Sequence, residues 1–151
     1  MRLYWIVPLF ILAACQSEPQ VTTEPEAETE YVRSQSAEDA VVYIITPEDG
    51  DVVQSGIVNV KFGLFGMGVA PAGIEFPNSG HHHLLVNPAD APAMDMPIPT
   101  DSVHIHFGLG QTETTLELSP GTYTLQLLLG DYSHTPHDPP VMSEPVTITV
   151  E

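Results

Sequence analysis

Seven histidines fall within residues 81–137, in three groups: His81, His82 and His83; His104 and His106; His134 and His137. Neutral imidazole ligates transition ions and changes charge near neutral pH, so such clustering points to metal or proton chemistry. In Val103-His104-Ile105-His106-Phe107, apolar and histidine positions alternate. On a strand with its apolar face inward, both rings leave by the opposite face. Their Cα atoms then lie about 6.5–7 Å apart at ~3.3 Å per residue, so both rings can reach one ion at ~2.0–2.1 Å. His81 and His83 repeat this spacing, with His82 on the other face, and Leu84-Leu85-Val86 leaves open which face is inward. Pairing of the two strands would gather up to four imidazoles on one surface.

The third group, His134-Thr135-Pro136-His137-Asp138, precedes Pro139-Pro140, and the prolines stiffen a loop that can lie over the sheet. The candidate metal ligands are therefore His81, His83, His104, His106, His134, His137 and Asp138. Asp131 or Asp138 can instead accept the outer N–H of a ligating imidazole. The single cysteine, Cys15, lies in the N-terminal leader, so no thiolate joins the set. An all-imidazole site suits Zn(II), Cu(II) or Ni(II), with Cu(II) bound tightest. Because neutral imidazole is the ligating form, affinity should fall as pH drops through ~6.5. Met94-Asp95-Met96 is similar to a Cu(I) methionine pair, but the default reading is gap-filling or exposed methionine in a proline-rich loop.

Other chemistry is poorly represented. Asp131, Ser133 and His134 name the residue types of acyl transfer, without a G-x-S-x-G elbow. Gly63, Gly66, Gly68 and Gly73 follow a strand, but no helix pattern succeeds them to cradle a phosphate. Glu48-Asp49-Gly50-Asp51 reads as an acidic turn rather than a Ca²⁺ loop. Twenty acids against three basic residues, a net charge of −17, exclude a nucleic-acid partner, which needs clustered Lys or Arg. No P-loop occurs, and no nucleotide or organic cofactor is expected.

The elements that must position the histidines read as short strands between turn signals. They are Val41 to Ile45; Val58, Val60, Phe62 and Leu64 on one face; His81 to Val86; Val103 to Phe107; a run around Leu116 and Leu118; Tyr123, Leu125, Leu127 and Leu129; and Val146, Ile148 and Val150. No helical stripe accompanies them. Seven strands in residues 40–151 fit an all-β, antiparallel immunoglobulin-like β-sandwich. Pro120-Gly121-Thr122-Tyr123 has the form of that fold's tyrosine corner.

Residues 1–15 read as an export leader. Arg2 is followed by an apolar run from Leu3 to Leu12, too short for a bilayer crossing of about 20 residues. It ends in Leu12-Ala13-Ala14-Cys15, the bacterial lipoprotein pattern, in which Cys15 carries lipid after cleavage. Gln16, not Asp, follows the cysteine, and the expected location is the outer membrane, facing the periplasm. Residues 16–39 carry seven acids and little apolar surface, and read as a disordered tether. Its mean reach is about 25–30 Å.

Longer stretches of the chain resemble a known family. They are Phe62-Gly63, Gly66-Met67-Gly68-Val69-Ala70-Pro71-Ala72-Gly73, Gly80-His81-His82-His83-Leu84-Leu85, His104-x-His106-Phe107-Gly108, and Leu127-Leu128-Leu129-Gly130-Asp131 continuing through His134 and His137 to Pro140. These resemble a bacterial domain-of-unknown-function family, number 4399, over about residues 41–150. The resemblance implies a short exported protein or lipoprotein and brings no activity, substrate or ligand with it. Met94 and Met96 fall outside it.

The sequence thus favours a lipid-anchored envelope protein that binds copper or zinc through clustered histidines. The alternative is a non-enzymatic interaction module that holds an envelope protein partner, with structural histidines. A histidine-metal enzyme of the superoxide-handling kind would need an open coordination position.

Overall fold

The apolar alternation of the sequence becomes the inner faces of two sheets in a computed structural model that describes residues 32–151. The expected leader, Cys15 and most of the expected tether lie outside the described residues. The first sheet has the order β1-β3-β7, formed by Val41–Thr46, Ile57–Phe65 and Glu113–Glu117, all antiparallel. The second runs β2-β9-β8-β5-β4, formed by Val52–Val53, Val146–Val150, Gly121–Gly130, Ser79–Val86 and Gly68–Val69. The last strand, β6, is His104–His106, which pairs with the far half of β5. No helix occurs among the described residues.

The sheets stack as an open sandwich. Val42, Val58, Val60 and Phe62 of the first sheet meet Leu84, Leu125, Leu127, Leu129, Ile148 and Val150 of the second. Each of these side chains is almost fully buried, and fully burying an aliphatic side chain stabilises by roughly 1.5–3 kcal/mol. The tight turn before β8 is closed by Tyr123, whose hydroxyl donates to the Ser119 carbonyl at 2.9 Å.

Nine strands form among the described residues, rather than seven, and the pairing is not wholly antiparallel. The two additions, β2 and β4, have two residues each and pair in parallel with β9 and β5. Strands that short carry no readable alternation. The first is held in place by the acidic turn: Gly50 N–H donates to the Thr147 carbonyl, and Asp49 Oδ1 accepts from Thr147 N–H.

The second sheet is covered on both faces, and this decides the orientation of β5. His82 and Leu84 point into the sandwich, and the His82 ring lies 5.2 Å from that of Phe62. His81, His83 and Leu85 leave by the outer face, where Leu85 joins Leu128, Ile98, Met94 and Met142 in a second apolar cluster. A strand buried on both sides reads as a continuous apolar run, which is why Leu84-Leu85-Val86 showed no preference.

Candidate metal centre

Strand register builds the site. Antiparallel pairing sets His83 directly opposite His106, while His81 faces Gly130 across the β5–β8 pair. Residues paired this way share one face of the sheet. Gly130 offers no side chain there, and a Cβ at that position would stand 2.9 Å from His83 Nε2. Gly108 does the same for the other wall, since its Cβ would meet His106 Nε2 at 2.5 Å. Two glycines therefore leave the space that the imidazoles fill.

The ligand atoms of His81, His83 and His106 all lie within 4.8 Å of one another. His81 Nε2 and His83 Nε2 are 3.1 Å apart. In a tetrahedral site with ~2.0–2.1 Å bonds, neighbouring ligand nitrogens are separated by about 3.3 Å. These three histidines can therefore hold a metal ion. His81 and His83 are fully buried, and His106 is half-buried at the solvent side. His81 Nδ1, His83 Nδ1 and His106 Nε2 have no hydrogen-bond partner among the described residues. Leaving buried polar atoms unmatched costs on the order of 1–3 kcal/mol each, a debt that metal ligation by one of them lowers.

The electrostatics favour the ligating form. Burial lowers the His81 pKa to about 4, assisted by repulsion from His106 and His134 and opposed by the Asp131 carboxylate. Burial, with repulsion from His81, His106 and His134, takes His83 down to about 2. His106 is lowered by burial and by His134. Proton competition at these ligands is therefore displaced well below the pH of ~6.5 expected for free imidazole.

The remaining candidates have separate places. His134 lies on the 131–135 loop with φ 71°, and its ring is 5.0 Å from that of His81, 4.8 Å from His106 and 6.2 Å from His83. His104 shares the outer face with His106, but its Nδ1 bonds Asp101 Oδ1 at 2.9 Å. The backbone N–H groups of His104 and Val103 also donate to that carboxylate and, with the His104 ring, hold the Asp101 pKa below the usual range. The structure thus pairs His106 across strands with His83, in place of the His104–His106 chelate read from spacing. His137 is buried elsewhere, its Nε2 3.1 Å from the Ser79 carbonyl and its ring against Gly80. Asp138 is exposed and lies 3.6 Å from Arg33 Nη1. Met94 packs in the outer apolar cluster and Met96 is exposed, as gap-filling and surface methionines do.

Two supports surround the site. The glycine-rich loop bridges its rim, with Ala72 N–H donating to the Gly108 carbonyl and Gly73 N–H to the Tyr132 carbonyl, both at 2.9 Å. Phe65 on that stretch is exposed, while Met67 packs on the sandwich core. On the far side, Arg33 donates to the carbonyls of Pro136 and His137, and Ser34 Oγ donates to Asp131 Oδ2 at 2.8 Å. Gly108 and Gly130 were not singled out from sequence. Their signal was a glycine bordering a histidine-bearing segment.

No curated protein matches the chain. Residues 60–151, which hold every histidine, match the family described as Domain of unknown function (DUF4399), and the chain belongs to that family.

Proposed function

We propose that the protein binds a divalent transition ion, copper(II) or zinc(II), as a lipid-anchored protein of the bacterial envelope. The observation that carries this reading is the convergence of His81, His83 and His106, whose ligand atoms lie within 4.8 Å of one another on paired strands. Strand-borne ligands are preorganised, so little ordering entropy opposes binding. The imidazoles are held neutral, and neutral imidazole is what the ion needs. The three residues of the cluster are all histidines, a donor set that suits copper(II) or zinc(II) better than Cu(I).

Anchoring rests on Leu12-Ala13-Ala14-Cys15 after the apolar leader, with the acidic segment that follows as spacer up to Arg33 and Ser34, which bond to the folded domain, and the outer membrane as destination. The fold is read as immunoglobulin-like. Its support is the strand order, β1-β3-β7 opposite β9-β8-β5, together with the Tyr123 hydroxyl bonded four residues back.

One observation favours a second reading, a non-enzymatic envelope interaction module: the 3.1 Å His81–His83 contact can also be a structural hydrogen bond between imidazoles. Titration of the full chain, free of any polyhistidine tag, with Zn(II) and Cu(II) at pH 7 separates the two. The metal reading expects one ion per chain with micromolar or tighter affinity. Affinity no better than millimolar supports the structural reading instead.

A further inference from the structure

Whether a histidine site retains its ion or works on a substrate depends on its fourth position: storage and structural sites close it, catalytic sites leave it to water. Four imidazoles around one ion at ~2.0–2.1 Å set their ring centroids about 5.2 Å apart. Among His81, His83, His106 and His134 the six separations are 4.9, 5.0, 5.0, 5.0, 4.8 and 6.2 Å. The His83–His134 distance is the long one, and His134 stands outside the 4.8 Å ligand-atom cluster of the other three, so it joins them only by a ring movement of about 1 Å toward His83.

The loop that carries His134 is built to hold it there. Asp131 is buried, and its Oδ1 accepts from Ser133 N–H, Ser133 Oγ and Thr135 N–H at 2.8, 2.8 and 3.1 Å. The backbone adds His134 N–H to the Asp131 carbonyl and Asp131 N–H to the Thr135 carbonyl, both at 2.9 Å. His134 is thereby fixed at φ 71°, a conformation uncommon outside glycine and sustained when the surroundings impose it.

We propose that His134 is the fourth ligand and closes the centre into a four-imidazole site that retains its ion, with Asp131 as the residue that positions His134. This rests on the metal-binding reading above. The protein then carries or stores a divalent ion and has no vacant position for a substrate.

Azide probes the fourth position, because it gives a charge-transfer band on Cu(II) only where a ligand site is open or holds exchangeable water. The full chain is loaded with one equivalent of Cu(II), and X-ray absorption counts the first-shell nitrogens. Wild type should show four imidazole nitrogens and no azide band. His134→Ala should still bind copper, show three nitrogens and acquire the band. Asp131→Ala should acquire the band too, although Asp131 is no ligand, and Asp131→Asn, which keeps an acceptor for Ser133 and Thr135, should largely restore wild-type behaviour. Circular dichroism confirms that each variant is folded. Three nitrogens and an azide band already present in wild type overturn the closed site and leave the metal-binding reading standing. An azide response in Asp131→Ala identical to wild type overturns the positioning role. Absence of copper binding in wild type overturns the underlying reading itself.

Discussion

A methyl group on Gly130 would stand 2.9 Å from Nε2 of His83, inside the space that the imidazole cluster occupies. The position is an ordinary strand residue, without a positive φ, so alanine there introduces bulk without backbone strain. Gly130→Ala is expected to weaken zinc or copper affinity at least tenfold with a stability change on the order of 1 kcal/mol. Isothermal titration beside a denaturation curve checks both.

The ligand set predicts a specific ranking. His83→Ala and His106→Ala should each lower metal affinity tenfold or more. His104→Ala should stay within about threefold of wild type, because His104 is engaged by Asp101. His82 points into the core beside Phe62, with the backbone of Gln111 as a polar partner for its ring. His82→Leu should preserve metal affinity, since His82 lies on the face of its strand opposite His81 and His83. Competition with a chromophoric chelator measures the series.

This ranking also marks what was legible in the sequence. The alternation in Val103–Phe107 correctly put His104 and His106 on one face. Local spacing could not reveal that the partner of His106 is His83, because the register of β5 against β6 is set by long-range packing. Nor could it separate His104 from the cluster, although Asp101, three residues upstream, supplies the acceptor that engages it. The placement of His134 depends on a turn organised by Asp131, a tertiary arrangement with no periodic signal. The sandwich core was legible through Val58, Val60 and Phe62 and through Leu125, Leu127 and Leu129, where one face is buried and the other is not. The two-residue strands were too short to show a pattern.

The metal-free domain should lose stability as pH falls from ~6.5 toward 5. Burial lowers the pKa values of His81 and His82 to about 4 and of His83 to about 2. In the unfolded chain these groups take up protons below ~6.5, while in the native state they stay neutral. The unfolded state then binds more protons, so stability rises with pH across this window and is lost on acidification. The loss is at most about 2 kcal/mol per histidine between pH 6.5 and 5. Urea denaturation of chelator-treated protein at pH 7.5, 6 and 5 measures it, and a flat dependence would argue against buried neutral imidazoles.

The anchoring proposal has its own test. Cys15→Ser should abolish incorporation of labelled fatty acid and shift the protein from the membrane fraction to the soluble one, while metal affinity stays unchanged. Continued membrane partition of the serine variant would contradict lipidation at Cys15.

The most direct measurement is an anomalous difference map from a crystal grown with zinc, recorded on both sides of the zinc edge. The account predicts one strong peak at ~2.0–2.1 Å from ring nitrogens of His81, His83 and His106. A peak confined to surface carboxylates, with His81 and His83 still in mutual contact and no density between the rings, would contradict it.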